Sequence, residues 1–351
     1  MHVELNGTTV LVTGSPGFIG ANLVLRLLRE MKSGRIISFD NMNDYYDPAL
    51  KRERLAKIEK TAAGPVSHLF VEGNLADREK VRQLFERERP RIVVNLAAQA
   101  GVRYSIECPE AYIESNILGF FNILECCRHY PVEHLVYASS SSVYGGSRNV
   151  PFSTEDRVDS PVSLYAATKK SDELLAHSYA KLYDIPCTGL RFFTVYGPCG
   201  RPDMFYFSAT KTLAAGGTIR IFNYGNCERD FTYVDDTVEG ILRVMQGAPD
   251  RRTGDDGLPV APSRIYNIGS GHPENLMTFV TVLHQELIAA GILPASDRLE
   301  DHVELTGMQP GDVPVTCADC TPLKRDFGFT PTIGIREGLR QFARWYKAYY
   351  G

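Results

Sequence analysis

Residues 11–20 read LVTGSPGFIG, and their spacing decides how the rest of the chain is read. An apolar run ends in a glycine-rich turn, and an amphipathic run starts inside it. Gly14, Gly17 and Gly20 fall between the first expected strand (8–14) and the first expected helix (18–32). Glycine gives a turn access to positive φ. It also lets backbone approach a pyrophosphate at a helix N-terminus, where free N–H groups and the dipole favour an anion. The spacing is GxxGxxG, slightly different from GxGxxG. The triplet alone also serves a tight strand-to-helix turn. Its place at the head of a strand-turn-helix unit is what points to a dinucleotide.

Outward from this turn, apolar runs at 35–40, 68–74, 91–98 and 134–140 alternate with helical periodicity at 48–60, 77–88 and 109–129. That alternation predicts an α/β fold, a doubly wound parallel sheet of Rossmann type with helices on both faces. A helix over 165–183 then leads into an apolar run at 187–195. Beyond it the rhythm breaks into a Gly/Pro/aromatic loop (197–207), a short strand (231–234), a helix from Asp235, a polar loop (247–264), a strand (265–270) and a terminal amphipathic helix (334–349). The expected division is discontinuous: 1–188 and 232–268 form a nucleotide-binding domain, and 189–231 with 269–351 form a smaller interleaved α/β substrate-binding domain.

Size and composition narrow the function classes. The chain has 351 residues, 44% of them hydrophobic and 23% charged, with a net charge of −4. This is an ordinary globular composition without a basic field for nucleic acid. No apolar stretch approaches the ~18 residues of a membrane span. The opening MHVELNGTTVLVTG lacks a signal peptide's basic start and apolar run, so a cytoplasmic location is expected. The eight cysteines are scattered, and Cys317-Ala-Asp-Cys320 has no second ligand pair, so reduced thiols and no metal are expected.

Asp40 ends the second expected strand. A carboxylate there accepts hydrogen bonds from adenosine ribose hydroxyls and repels a 2′-phosphate, favouring NAD over NADP. The alternative is a cap for a helix in the following loop. Tyr165 and Lys169 are four apart in YAATK and share a helix face. A free tyrosine, with a pKa of about 10, is a poor base at neutral pH. A nearby ammonium stabilises phenolate and makes it a usable acid/base. The same spacing is common on helix surfaces, and it gains meaning from the dinucleotide turn and from the serine run Ser139–Ser142 at a strand end, which faces the ligand crevice in such sheets.

Taken together, GSPGFIG, Asp40, NLAAQAG, SSSSVYG and YAATK resemble the extended short-chain dehydrogenase/reductase family over nearly the whole chain. The resemblance implies Tyr165 as acid/base, Lys169 orienting the nicotinamide ribose and Ser140 assisting. It implies NAD held by Gly14, Gly17, Phe18, Ile19 and Gly20, by Asp40 and Asn41, by Asn74 and Leu75, and by Leu96, Ala97, Ala98 and Gln99, with Tyr165 and Lys169 closing the site. Members that are 4,6-dehydratases carry Asp-Glu after the catalytic hydroxyl. This chain has Ser141-Ser142, so dehydration is not expected.

The longer stretches NMNDYYDPALKRERL, FFTVYGPCGRPDM, ERDFTYVDD and MQPGDVPVT resemble the UDP-glucuronate 4-epimerases in particular. That implies a UDP-sugar substrate whose carboxylate is held by Ser141, Ser142 and Thr194. It leaves Ser139 for the strand-end backbone. Arg229 is implied at the diphosphate, Arg201 at a UDP-contacting position, Arg103 near the sugar or phosphate, and Asp312 at a ribose hydroxyl, although an Asp after Pro-Gly also forms turns. Gln309 stands where many neutral-sugar epimerases have arginine. The expected reaction passes through a transient 4-keto sugar. Rival readings are a decarboxylase making a UDP-pentose, a 4-epimerase of UDP-glucose or UDP-N-acetylglucosamine, and a NAD-binding protein without turnover. Helices 109–129 and 165–183 carry apolar residues on more than one face, and the resemblance implies that they pair in a homodimer.

Overall fold

The computed structural model describes residues 1–307 and 313–351. Its first half is the expected alternation: β1 (Thr8–Thr13), α1 (Phe18–Glu30), β2 (Gly34–Asp40), α2 (Pro48–Thr61), β3 (Val66–Glu72), α3 (Arg78–Glu88) and β4 (Ile92–Asn95). Short helices α4 (Tyr104–Glu107) and α5 (Pro109–Tyr112) run through a π-helical segment, Ile113–Leu118, into α6 (Gly119–His129). The single helix expected over 109–129 is therefore one helical rod with a wider turn inside it. Then come β5 (His134–Ser140), α7 (Leu164–Tyr183) and β6 (Cys187–Phe192).

The apolar run at 187–195 divides at Phe193. Its N–H donates to Ile268 O at 3.0 Å, and the chain then leaves the main sheet as β7 (Thr194–Tyr196). Next are α8 (Phe205–Ala214), β8 (Ile219–Ile221), β9 (Glu228–Tyr233) and α9 (Val234–Met245). The polar loop holds a small hairpin, β10 (Arg252–Thr253) with β11 (Pro259–Val260). The chain closes with β12 (Ser263–Ile268), β13 (Pro273–Asn275), α10 (Leu276–Ala289), β14 (Val303–Leu305), α11 (Thr321–Phe327) and α12 (Ile335–Tyr350).

Seven strands form one parallel sheet in the order β12-β6-β5-β4-β1-β2-β3. Small sheets β13-β9-β7 and β14-β8 lie outside it. The side-chain period of two divides the core: Val10 and Val12 join one buried cluster, Leu11 another. The strand order reverses at β1, which pairs with β2 on one side and β4 on the other. In open α/β sheets such a reversal leaves a crevice beyond the carboxyl ends of the strands.

Candidate active site

The glycine turn forms the floor of that crevice. Gly14 has φ +69° and its N–H donates to Phe39 O at 2.8 Å. A Cβ at Gly14 would stand 2.7 Å from Ala97 N, and one at Gly20 would stand 2.2 Å from Gly14 O. Gly14 has the positive φ expected of the turn, and Gly14 and Gly20 are also required by a close approach of backbone to backbone. α1 begins at Gly17 without a side-chain cap and without an acidic residue in its first turn. Its free N–H groups face the crevice unopposed, which suits a pyrophosphate. Thr13 Oγ1 donates to Asn95 Oδ1 at 2.7 Å and accepts from Ala97 N at 3.2 Å, fixing the path of Leu96–Gln99 beside the turn.

Asp40 is buried at the end of β2 and accepts from Met42 N at 2.7 Å. The cap of α2 is Asp47, whose side chain accepts from Ala49 N at 2.9 Å, so Asp40 is not a helix cap. Lys51 Nζ lies 3.3 Å from Asp40 Oδ1 and donates to Asn43 Oδ1 at 2.7 Å. Arg54, fully buried one turn further along α2, donates to Pro16 O at 3.0 Å, Tyr46 Oη at 2.7 Å and Gly200 O at 2.8 Å. Neither cation was assigned a role from sequence. The available signal was two cations at i and i+3, on one face of a helix that follows Asp-Pro.

One cleft of about 380 Å³ gathers most of the expected residues. Its lining takes in Gly14, Gly17, Phe18, Ile19, Gly20, Asp40, Asn41, Asn74, Leu75, Leu96, Ala97, Ala98 and Gln99 on one side. Ser140, Ser141, Ser142, Tyr165, Lys169, Thr194 and Arg201 line the other. Arg103 and Arg229 do not line it. The Arg103 guanidinium lies 5.4 Å from the Phe222 ring centre, and Arg229 donates to the carbonyls of Glu228 and Pro314 at 3.0 and 3.1 Å. Asp312 and Gln309 lie outside the described residues.

The serine run is divided in its work. Ser139 is buried, and its hydroxyl donates to Glu173 Oε1 at 2.7 Å. It thus belongs to the Glu173–Arg191 ion pair rather than to the strand-end backbone, as sequence had suggested. Ser140 ends β5 with Oγ accepting from Ser142 N at 3.1 Å, which starts the tight turn Ser141–Tyr144 and turns Ser141 and Ser142 toward the cleft. α7 begins where Ser163 Oγ accepts from Ala166 N at 3.1 Å, placing Tyr165 in the first helical turn. The Tyr165 ring stands edge-on to Tyr112 at 6.0 Å.

Lys169 is 2% exposed, and its Nζ donates to Ala138 O at 3.0 Å and to Asp172 Oδ2 at 3.2 Å. Burial pushes the Asp172 carboxyl up to about 7, against the opposite pull of Lys169. Across the cleft Arg201 grips Asp203 through two bonds of 2.9 and 2.6 Å, and Tyr45 Oη donates to Asp203 Oδ2 at 3.2 Å. Burial raises the Asp203 carboxyl, but the Arg201 charge more than offsets it and leaves the group below its ordinary range. Tyr45, Asp172 and Asp203 were not expected from sequence.

A cleft with a glycine-rich strand-to-helix turn, a strand-end carboxylate and a Tyr-x-x-x-Lys helix beside hydroxyls suits an enzyme that works with a dinucleotide. The chain belongs to the NAD dependent epimerase/dehydratase family, whose profile matches residues 10–269. It is 44% identical to UDP-glucuronate 4-epimerase 4 of Arabidopsis thaliana over 98% of this chain and 76% of that protein. Its fold superposes on the UDP-glucuronic acid 4-epimerase of Bacillus cereus, solved with UDP-glucuronic acid and NAD, at a TM-score of 0.83 with 27% identity, covering 97% of this chain and 100% of that one. The UDP-glucose 4-epimerase of Thermotoga maritima, solved with UDP-glucose, gives 0.81 with 26% identity, covering 98% and 100%. Backbone shape therefore does not separate acidic from neutral sugars, and the side chains lining the cleft must.

Proposed function

We propose that this protein is a UDP-glucuronate 4-epimerase, interconverting UDP-glucuronate and UDP-galacturonate. The observation that carries the reading is the meeting of Ser141, Ser142 and Thr194 with Tyr165 in the cleft that also holds the glycine turn. Three small hydroxyls suit a substrate carboxylate, since each donates one hydrogen bond without adding charge. The glycine turn, the uncapped start of α1 and the Asp40 carboxylate fit NAD.

Tyr165 removes the proton of the sugar 4-hydroxyl as the carbon 4 hydride leaves, with Ser140 polarising the same oxygen. Bound NAD supplies the hydride acceptor and later the donor. Lys169, whose ammonium donates to Ala138 O and Asp172, would orient the nicotinamide ribose. The 4-keto sugar would turn in the cleft to present its opposite face, and Tyr165 would then give the proton back to the 4-oxygen. The 4-keto group is β to the carboxylate, an arrangement prone to loss of carbon dioxide when the breaking bond aligns with the carbonyl π system. Ser141, Ser142 and Thr194 hold the carboxylate out of that alignment. Arg201, in the cleft lining, contacts the UDP, Arg229 the diphosphate and Arg103 the sugar or phosphate, and Asp312 accepts from a ribose hydroxyl.

In this reading residues 1–188 and 232–268 form the NAD domain, and 189–231 with 269–351 the UDP-sugar domain, although β6 carries the first domain's sheet on to Phe192. The protein works as a homodimer in the cytoplasm. Support for the dimer comes from Ile113, Leu118, Leu174 and Leu182, which are 49%, 44%, 60% and 67% exposed on the two helical rods expected to pair. Support for the location comes from eight free cysteines. Among the described residues no helix is long and apolar enough to cross a membrane.

The test is incubation with UDP-glucuronate, read by mass spectrometry and proton NMR. The expected product has unchanged mass and galacto coupling at carbon 4. A product lighter by carbon dioxide would make the enzyme a decarboxylase. Turnover of UDP-glucose or UDP-N-acetylglucosamine alone would move the substrate to neutral sugars.

A further inference from the structure

Lys169 carries the positive charge on which the acid/base tyrosine depends, yet it is not a lone cation. Asp172, one turn along α7, lies 3.2 Å from its Nζ, and both side chains are only 3% exposed. Two further charges face the groups involved: Glu173 pushes the Asp172 carboxyl in the same direction as burial, and the Arg201 guanidinium is a second cation near Tyr165. Glu173, the next residue, is taken by Arg191 of β6 and Ser139 of β5, and Lys170 leans on Glu173. The Tyr137 hydroxyl of β5 is a buried neutral neighbour, and Cys187 of β6 is a thiol that burial keeps protonated. Tyr112 of α5 touches Tyr165 edge-on. Asp172 is thus the anionic ion-pair partner of Lys169 among the described residues, and its Oδ1 is buried without a hydrogen-bond partner.

We propose that Asp172 is a positioning residue that limits how strongly Lys169 favours the Tyr165 phenolate, by holding the ammonium and, when ionised, opposing its field. This rests on the assignment of Tyr165 and Lys169 above. A bare buried ammonium would stabilise phenolate at every pH. With Asp172 ionised, the pair is close to neutral and the phenolate gains less. The Asp172 carboxyl, pushed by burial to about 7, changes charge near neutrality, so the restraint grows as the pH rises through that value. The restraint has a use. Tyr165 must return its proton to the opposite epimer in each turnover, and an acid/base group works best when neither form is strongly preferred.

The test uses purified holoenzyme with NAD bound, comparing wild type with Asp172→Asn and, in case that change misfolds, Asp172→Ala. Tyrosinate is titrated by ultraviolet difference absorbance against Tyr165→Phe, and kcat/KM for UDP-glucuronate is followed over about pH 5 to 10, spanning the ordinary carboxyl and phenol ranges. Removing the carboxylate should move tyrosinate formation and the acidic limb of kcat/KM to lower pH by about one unit, and should sharpen the limb to a single ionisation. Asp172→Glu should restore the wild-type profile. A tyrosinate titration in the variants that overlays wild type, or moves to higher pH, would overturn the proposal. Full turnover in Tyr165→Phe would instead remove the tyrosine assignment on which it stands.

Discussion

Glu173 and Arg191 face each other through two hydrogen bonds of 2.8 and 2.9 Å beneath the end of β5, both buried, with the Ser139 hydroxyl on the same carboxylate. The pair anchors α7 to the sheet at the level of the cleft. Glu173→Gln leaves Arg191 without a counter-charge, and removal of one partner from a buried pair costs about 3–5 kcal/mol. Ser139→Ala removes one hydrogen bond to a charged group, about 1.5–3 kcal/mol. Denaturant melts of the two variants check this order, and equal losses would contradict it. Burial raises the Glu173 carboxyl, but its bonds to Arg191 outweigh that and hold it below the ordinary range. Its stabilisation is therefore complete above the ordinary carboxylate value and is lost as pH falls through the lowered one.

Asp172 has the opposite sign. Its folded carboxyl is raised to about 7 from an ordinary value of 3.8. Between those values the folded chain binds more protons than the unfolded chain, so stability contributed by this group falls with rising pH and levels off above about 7. The thermal midpoint of wild type should therefore drop relative to Asp172→Asn across that window and run parallel to it on the alkaline side. A constant difference from acid to alkaline pH would show that Asp172 titrates elsewhere.

The carboxylate role of the serines predicts a change of product, which differs from a simple loss of rate. Ser141→Ala with Ser142→Ala should release carbon dioxide and a UDP-pentose during turnover of UDP-glucuronate, alongside slower epimerisation. Unchanged rate and unchanged product ratio in the double variant would refute it. Turnover of a neutral UDP-sugar, where no carboxylate is present, should be spared.

The exposed leucines of α7 predict an assembly. Burying a leucine side chain on association is worth about 1.5–3 kcal/mol. Leu174→Asp with Leu182→Asp should then shift the molecular weight from dimer to monomer in sedimentation equilibrium, with the monomer still folded by circular dichroism. A wild-type protein that sediments as a monomer at micromolar concentration would end the dimer reading.

Much of the frame was legible because it rests on local signals. Strand and helix periods and the glycine turn each act within a few residues, Asp40 and the serine run were placed at strand ends, and the other cofactor-side residues came from the family resemblance. Other features escaped for physical reasons. Ser139 looked like part of one hydroxyl run, but the strand period alternates faces and sends it to Glu173, away from its neighbours. Arg54 meets Gly200, 146 positions away, an encounter that only the packed chain decides. The wide turn at Ile113–Leu118 spans six residues, too few for its period to differ visibly from an α-helix. The proposed sugar rests on motifs and not on shape, since epimerases of acidic and neutral sugars superpose alike.

Arg54 bonds Pro16 of the glycine turn and Gly200 beside Arg201, so one guanidinium belongs to both banks of the cleft. A nucleotide seated on the turn then shares its anchorage with the loop that receives the sugar, and loosening one loosens the other. In the proposed epimerisation the hydride taken from carbon 4 is given back to it, so the dinucleotide need not be exchanged with each turnover. The oxidation state of the surrounding dinucleotide pool then has no purchase on the direction of the reaction, and the ratio of the two sugars alone decides it.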